Sequence, residues 1–162
     1  MGKTKISVRG IALAAMIAAL YTAATGVFAP IAFREVQVRI SEALCALALF
    51  TPWAVPGLTI GCFLSNLFWS PFGLLDIALG TAATLLGTAG VALLAKKNRV
   101  TALCVPVASN ALLVPVVLSV FLKQAYWLGV LYVGAGQAIA CIGLGYPLAR
   151  ALEKVKFLDQ DV

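Results

Sequence analysis

The sequence predicts an all-α integral membrane protein with six transmembrane helices and with both termini in the cytoplasm. Three observations lead to this prediction. Of the 162 residues, 62% are hydrophobic and only 11% are charged, and the mean hydropathy is +1.03. Soluble domains have roughly 25% charged residues, so this composition excludes a soluble globular protein. It also excludes a disordered chain, because disordered chains are polar and highly charged. In addition, the uncharged residues form runs as long as a bilayer is thick, and the basic residues between these runs are unequally distributed.

Five uncharged runs define the helices, at 10–33, 43–75, 77–95, 100–122 and 124–149. A helix needs about 20 apolar residues to cross the hydrocarbon core. The run 43–75 is too long for one crossing, and it contains Thr51 and Pro52, which favour the start of a new helix. We therefore predict a single membrane domain, residues 1–162, with helices roughly at 10–32, 36–50, 52–69, 74–95, 100–122 and 125–152.

The basic residues predict the orientation of these helices. Nine of the twelve lie in three segments, namely the N-terminal tail, the loop between the fourth and fifth helices, and the C-terminal tail. With six crossings, these three segments fall on the same side of the membrane. Loops rich in Lys and Arg stay in the cytoplasm. The opposite side carries only Arg34, Arg39 and Lys123.

Residues 36–41 do not fit a simple helix. They alternate apolar and polar side chains, which is the period of an extended segment. A second helix restricted to 42–50 would be about 14 Å long, too short to cross. Either this helix begins earlier, or it is a partial span packed against its neighbours. In both cases the segment 34–42 lies at the outer face between the first two helices, where it could act as a lid.

Polar residues from different helices share the outer membrane level. Glu42 lies at the outer end of the second helix, Asp76 at the outer start of the fourth, and Asn66 near the outer end of the third. An ionisable residue inside a membrane is a functional-site hypothesis by default. Convergent polar groups in apolar surroundings are typical of a small-molecule site. Aromatic residues lie at the same level, namely Trp69, Tyr126 and Trp127.

These residues also have purely structural interpretations. Asp76 could cap the fourth helix, and Glu42 could pair with Arg39 three residues earlier. The aromatic residues could form an interfacial belt. Asn110 and Gln137, in the middle of the fifth and sixth helices, could tie helices together by hydrogen bonds.

Small residues form two faces of the first helix. Ala15, Ala19 and Ala23 recur at a spacing of four, and Ala14 and Ala18 lie beside them. Residues four apart share a helix face, and small faces allow helices to approach closely in lipid. The alanine face either packs inside this chain or docks to a separate membrane subunit.

Absent motifs exclude several classes of function. The sequence has no His and no GxxxxGK[ST] phosphate loop, so we expect neither ATP hydrolysis by that route nor a Ser/His or Cys/His pair. The four Cys lie apart in apolar runs, where Cys usually behaves as a small hydrophobe. A zinc or haem site is therefore not expected. We predict no enzyme activity, no metal and no cofactor.

Four stretches of the sequence resemble a known family. They are Val36-Gln37-Val38-Arg39-Ile40-Ser41-Glu42-Ala43-Leu44, then Leu49-Phe50-Thr51-Pro52-Trp53-Ala54-Val55-Pro56-Gly57-Leu58, then Ile60-Gly61-Cys62 with Asn66, and finally Gly73-Leu74-Leu75-Asp76. This succession resembles the QueT family of queuosine-precursor transporters, whose members are substrate-binding S components of energy-coupling factor (ECF) transporters. The stretch Trp69-Ser70-Pro71-Phe72 departs from the Gly-rich turn expected there.

The resemblance implies an S-component-like bundle that imports a 7-deazaguanine base, such as queuine or 7-aminomethyl-7-deazaguanine, across a bacterial plasma membrane. It also implies one ECF membrane scaffold subunit and two cytoplasmic ATPase subunits as partners, and no nucleic acid. Ala15, Ala19 and Ala23 are then the expected docking face. The expected substrate-binding residues are Glu42, Asp76, Asn66, Gln37, Arg39, Trp69, Asn110, Gln137 and Tyr21.

These residue types suit such a ligand. One carboxylate can accept both the N–H and the NH2 donors of a guanine edge, and a second can pair with the cationic amine of the ligand. Glu42 and Asp76 are equivalent candidates for the guanine edge. Trp69, Tyr21 or Phe28 can stack on the ring, a contact worth about 1–3 kcal/mol. The alternatives are an S component for another vitamin or nucleobase, or an autonomous small-molecule carrier.

Overall fold

The computed structural model describes residues 7–34 and 36–154, and every regular element within these two ranges is helical. The elements in chain order are α1 (Val8–Val27), α2 (Ala29–Ala32), a 3₁₀ helix (Ile40–Leu49), α3 (Ala54–Trp69), α4 (Gly73–Leu94), α5 (Arg99–Phe121), α6 (Tyr126–Ala138), a π-helical segment (Ile139–Leu144) and α7 (Gly145–Leu152). Most of the basic N-terminal tail, Glu35 and the last residues of the C-terminal tail lie outside the described residues.

Four helices in the two described ranges are long and apolar enough to cross a membrane. They are Val8–Val27, Gly73–Leu94, Arg99–Phe121 and the continuous helix Tyr126–Leu152, which comprises α6, the π-helical segment and α7. Two shorter apolar helices, Ile40–Leu49 and Ala54–Trp69, complete the set. The predicted class of an all-helical, multi-pass membrane protein is therefore confirmed. The crossing of all six segments and the cytoplasmic position of the termini stay predictions.

The region predicted as a second helix at 36–50 contains two kinds of structure. Gln37, Val38 and Arg39 lie outside any helix, and Arg39 is extended, with φ −90° and ψ 94°. From Ile40 the chain forms a 3₁₀ helix, which rises about 2.0 Å per residue instead of about 1.5 Å. Its 10 residues therefore extend about 20 Å. This geometry covers more of the bilayer thickness than an α-helix of the same residues would.

The 3₁₀ helix lies in the centre of the bundle. It contacts α1, α3, α4, α5, α7 and the π-helical segment. Six of its 10 residues are buried. The start of α7 lies close to it, because a Cβ added at Gly145 would be 3.2 Å from the Ala43 carbonyl oxygen. This central position brings Glu42 among the side chains of several helices.

Close packing of α1 on α3 depends on two glycines. A Cβ added at Gly57 would lie 2.7 Å from the Ala14 carbonyl oxygen, and one added at Gly61 would lie 3.0 Å from the Ala18 carbonyl oxygen. The missing side chains therefore let the two backbones touch, as expected for small residues in lipid. Ala14 and Ala18 are buried, so this face of α1 packs inside the chain.

Two apolar clusters define the ends of the bundle. The first joins the starts of α1, α3 and α5 to the end of α4, through Leu13, Ala54, Ala102 and Leu94. The second joins the start of α4 to the end of α5 and to α6, through Phe72, Leu118 and Val133. An ion pair between Arg99 and Glu153 places the start of α5 beside the end of α7. The helices therefore alternate in direction, as the six-helix prediction requires.

Candidate functional site

The polar side chains of segment 36–41 lie inside the bundle. Gln37, Arg39 and Ser41 are each 1% exposed, whereas Val36 is 42% exposed. The alternation seen in the sequence is thus present in the structure, with its polar face inside and its apolar face outside. In a lipid environment this orientation is the favourable one, because buried polar groups can be satisfied only by protein or ligand. The segment therefore delivers polar side chains to the interior.

Arg39 reaches Asp76 in the first turn of α4. Its Nη2 atom lies 3.5 Å from Asp76 Oδ2. Ser70 Oγ donates a hydrogen bond of 2.5 Å to the same carboxylate oxygen, and Asn66 Nδ2 donates one of 3.1 Å to the Asp76 carbonyl oxygen. The Arg39 guanidinium also lies over the Phe33 ring, 5.0 Å from its centroid, in a cation–π contact. The charge pair is thus buried and supported on several sides.

Glu42 is held by three other side chains. The Tyr21 hydroxyl donates to Oε1 at 2.5 Å, and the Thr84 hydroxyl donates to the same oxygen at 3.1 Å. The Cys45 thiol donates to Oε2 at 3.1 Å. Both carboxylate oxygens are therefore engaged by the chain itself. These bonds join α1, the 3₁₀ helix and α4.

Cys62 connects the surroundings of the two carboxylates. Its sulfur lies 3.2 Å from Thr84 Oγ1, 3.6 Å from Asn66 Nδ2 and 3.9 Å from Arg39 Nη1. The two groups of side chains are therefore continuous through α3. We call them together the polar cluster; its members are Tyr21, Arg39, Glu42, Cys62, Asn66, Asp76 and Thr84.

Within residues 7–34 and 36–154, several buried atoms at and beside the polar cluster have no hydrogen-bond partner. They are Gln37 Nε2 and Oε1, Arg39 Nε and Nη2, Asn66 Oδ1 and Asp76 Oδ1. Arg39 Nη2 is within ion-pair distance of Asp76 but lacks the alignment of a hydrogen bond. Buried polar groups in proteins are nearly always paired, and each unpaired one costs about 1–3 kcal/mol. Such an accumulation at one place is typical of a site that a polar ligand completes.

Gln37 combines a free amide with an unusual backbone conformation. Its φ is 43°, in the left-handed region that few residues other than glycine adopt. The backbone here is covered by α6, because a Cβ added at Gly136 would lie 2.3 Å from the Val36 carbonyl oxygen and 3.1 Å from that of Gln37. Backbone strain of this kind occurs preferentially at functional sites. The amide of Gln37 is thus buried on a strained segment, and no described residue is its hydrogen-bond partner.

A model of the QueT transporter family matches residues 11–154, which include every element that contributes to the polar cluster. The chain belongs to the QueT transporter family. This family comprises substrate-binding components of transport systems and is not a family of enzymes, so the predicted family and the absence of an enzymatic class are confirmed. Comparison with curated proteins and with solved structures finds no significant match.

In this QueT-family protein, five of the residues expected from the sequence meet in the polar cluster, namely Tyr21, Arg39, Glu42, Asn66 and Asp76. Gln37 lies in the buried segment that carries Arg39. The two purely structural roles suggested for Asp76 and Glu42 are not found in the structure. Asp76 does not cap α4, which has no side-chain cap hydrogen bond. Glu42 is not the ion-pair partner of Arg39, because Arg39 pairs with Asp76.

Three other expected residues lie apart from these contacts. Trp69 is 39% exposed and packs over Gly26, whose added Cβ would lie 2.7 Å from its ring. Asn110 Nδ2 donates to the Pro106 carbonyl oxygen of its own helix at 2.9 Å. Gln137 Oε1 accepts from Cys141 four residues later, at 3.5 Å. These bonds of Asn110 and Gln137 are local and do not tie separate helices together.

Ser70, Cys62 and Thr84 also contribute to these contacts but were not predicted from the sequence. A signal existed for Thr84, because Asp76, Gly80 and Thr84 recur at a spacing of four and therefore share one face of α4. No comparable signal existed for Cys62, since a Cys in an apolar helix usually behaves as a hydrophobic residue. The polar contacts of Cys62 follow only from the packing of α3 on α4.

Two cysteines that are isolated in the sequence meet in the structure. Cys45, Cys141 and Glu42 place one potential ligand atom each within 4.8 Å of one another. Thiolates and a carboxylate would suit Zn²⁺. Here, however, the Cys45 thiol donates to Glu42 Oε2, and Cys141 Sγ lies 3.6 Å from the Glu42 carbonyl oxygen. Hydrogen bonds thus account for the contact, and the predicted absence of a metal stays a prediction.

The two alanine faces of α1 have different surroundings. Ala14 and Ala18 are buried against α3, whereas Ala15, Ala19 and Ala23 are exposed. A groove of about 480 Å³ runs between α1 and α3, and its walls include Ala15, Ala19, Trp53 and Pro56. The face formed by Ala15, Ala19 and Ala23 is therefore not used for packing among the described residues.

Proposed function

We propose that this QueT-family protein is the substrate-binding S component of an ECF-type importer, and that it takes up a queuosine precursor, either queuine or 7-aminomethyl-7-deazaguanine. The observation that supports this proposal is the polar cluster. Two carboxylates and a guanidinium are buried among apolar helices, and several of their hydrogen-bonding atoms have no partner in the part of the chain that the structure describes. Charged groups are costly inside a membrane protein and mark substrate or ion pathways.

The chemistry of a 7-deazaguanine base matches this set of groups. The base is planar, and one edge offers a carbonyl acceptor beside an N–H and an NH2 donor. Carboxylates and an amide oxygen can accept from the donors, and a guanidinium can donate to the carbonyl. The aminomethyl group, or the secondary amine of queuine, is cationic near neutral pH and suits a carboxylate, since charge-assisted hydrogen bonds are the strong ones.

Ligand access requires movement of the chain that covers the cluster. We propose that segment 36–42 acts as the lid. Its polar side chains are buried, and Gln37 holds a strained backbone conformation. A cleft of about 450 Å³ lies beside it, lined by Phe33, Arg34, Val36 and Leu122. Opening at this cleft would expose Gln37 and Arg39 first.

The partners in this proposal are one ECF membrane scaffold subunit and two cytoplasmic ATPase subunits. The sequence has no GxxxxGK[ST] phosphate loop, so the energy for import has to come from other chains. The exposed face of Ala15, Ala19 and Ala23 is the proposed docking surface. Small residues let a partner helix approach closely in lipid, and the groove beside this face offers further apolar contact.

We further propose that all six helical segments cross a bacterial plasma membrane, with both termini in the cytoplasm. The alternating helix directions support this arrangement. Lys96 and Lys97 then lie on the cytoplasmic side, where basic loops are retained. The polar cluster faces the outer half of the membrane, where an importer first meets its ligand.

Mass spectrometry of small molecules that co-purify with the chain tests the proposed substrate. We expect queuine or 7-aminomethyl-7-deazaguanine, absent from an unrelated membrane protein purified from the same cells. Titration of the purified chain with each base should then give saturable binding, whereas the chain alone in vesicles should not transport. A bound vitamin of another class would replace the substrate proposal. Transport by the chain alone would favour an autonomous carrier.

A further inference from the structure

The two carboxylates of the polar cluster differ in how far the chain satisfies them. Glu42 accepts hydrogen bonds at both oxygens, from Tyr21 and Thr84 at Oε1 and from Cys45 at Oε2. Asp76 accepts from Ser70 at Oδ2, whereas its Oδ1 is buried and has no partner among the described residues. A ligand donor can bind Asp76 without breaking an existing bond. At Glu42 both oxygens already accept from the protein, and a ligand donor would have to share Oε2 with the Cys45 thiol.

The side chains of Asn66, Asp76 and Arg39 meet beside Gly80. A Cβ added at Gly80 would lie 2.6 Å from Asn66 Nδ2, 3.4 Å from Asp76 Oδ1 and 3.6 Å from Arg39 Nη1. The Asn66 amide and the Arg39 guanidinium that meet there also carry unpartnered atoms, namely Asn66 Oδ1 and Arg39 Nε and Nη2. Three side chains with unused hydrogen-bonding capacity thus surround a position that has no side chain of its own.

We infer that Asp76, and not Glu42, binds the donor edge of the base; this inference rests on the proposed function. Asp76 Oδ1 accepts from the exocyclic NH2 group, Asn66 Oδ1 accepts from the ring N–H, and the Arg39 guanidinium donates to the ring carbonyl. This set of two acceptors and one donor group is the complement of the guanine edge. Glu42 is then a positioning residue, which joins α1, the 3₁₀ helix and α4 through its three hydrogen bonds.

A pair of bases that differ by one group tests this assignment. 7-Deazaguanine carries the exocyclic NH2 group, and 7-deazahypoxanthine lacks it but keeps the ring carbonyl and N–H. Titration of the purified full chain should give a preference of about 10- to 100-fold for 7-deazaguanine, the effect of one lost hydrogen bond to a charged acceptor. In Asp76→Asn this preference should fall below about fivefold, because the charge on the acceptor is gone. In Glu42→Gln the preference should be unchanged, while the melting temperature falls.

Asp76→Asn leaves Arg39 without its ion partner and could fail to fold. A second variant therefore tests the same site. Gly80→Ala places a methyl group among the three side chains and should weaken binding of both bases at least tenfold, because Asn66 has to shift. The matched control is Gly134→Ala, whose added Cβ meets only Ala111 Cβ, at an ordinary 3.5 Å; it should bind as the parent chain does.

The possible outcomes separate the inference from the proposed function. If the parent chain binds neither base and also binds neither queuine nor 7-aminomethyl-7-deazaguanine, the proposed function is wrong. If the parent chain binds these bases, three results would overturn the inference. The first is that the parent chain shows no preference for 7-deazaguanine, and the second is that the preference is lost in Glu42→Gln but kept in Asp76→Asn. The third is that Gly80→Ala binds both bases as the parent chain does. A lowered preference in Asp76→Asn, or weakened binding in Gly80→Ala if that variant alone folds, supports it.

Discussion

Arg39 Nη2 lies 3.5 Å from Asp76 Oδ2, and the two side chains are 1% and 0% exposed. The pair joins the extended segment before the 3₁₀ helix to the first turn of α4. Removal of one partner of a buried ion pair leaves an uncompensated charge, which costs about 3–5 kcal/mol, whereas removal of both charges is often much less costly. The protein should therefore be destabilised more by the loss of one charge of the pair than by the loss of both.

We predict that Arg39→Gln and Asp76→Asn each lower the melting temperature of the purified chain, and that the double variant recovers much of the loss. Thermal unfolding in detergent, followed by circular dichroism, measures this as a double-mutant cycle. Exposed Arg34→Gln is the control and should leave the melting temperature within error. A double variant whose loss equals the sum of the single losses would show that the two charges do not interact.

Gly57→Ala should destabilise the packing of α1 on α3. Its added Cβ would lie 2.7 Å from the Ala14 carbonyl oxygen and 3.0 Å from Ile17 Cβ, so the helices have to separate. Overpacking of this kind costs about 1–3 kcal/mol. Unfolding of the variant in a denaturing detergent mixture measures the loss, with Gly134→Ala as the control. Equal stability of the two variants would mean that α1 and α3 are not in close contact in the membrane.

Ala15→Leu and Ala19→Leu should abolish assembly with the scaffold and ATPase subunits and leave the binding of the base unchanged. The physical reason is that a large side chain holds a partner helix away from a face that needs close approach. Co-purification of the partners measures assembly, and titration of the same preparation measures binding. Ala108→Leu, an exposed alanine on α5, is the control. Loss of binding with intact assembly would show that this face has a role inside the chain instead.

The proposed topology can be measured with single cysteines. Lys97→Cys should react with a membrane-impermeant thiol reagent only after the cells are opened, and Ala125→Cys should react in intact cells. Both positions are exposed. The background needs only Cys104→Ala, because Cys45, Cys62 and Cys141 are buried. The reverse labelling pattern would place the polar cluster in the cytoplasmic half of the membrane, and an importer that binds its ligand from outside would then be excluded.

The amino-acid sequence alone predicts the class of the protein and the extent of its longest helices. Uncharged runs at 77–95 and 100–122 match α4 and α5 closely, because a bilayer imposes a minimum length on any helix that crosses it. The same constraint predicts one membrane level for Glu42, Asn66 and Asp76, since each lies near the outer end of a predicted helix. The period of two in 36–41 correctly predicted that its polar side chains share a side that lipid does not cover. Within this stretch only residues 37–39 lie outside any helix or turn, however, and the 3₁₀ helix already begins at Ile40.

Which of these polar groups contact one another depends on the tertiary packing and could not be predicted from the sequence. Hydropathy determines how long a helix is, but it leaves its rotation and its contacts free, and these depend on packing between residues far apart in the chain. Glu42 and Thr84 are 42 positions apart, and no local pattern relates them. The same holds for the contacts of Cys62 with Arg39 and for the approach of α1 to α3 at Gly57. The free oxygen of Asp76 and the satisfied carboxylate of Glu42 follow from this packing, which is why two carboxylates that are equivalent in the sequence differ in the folded protein.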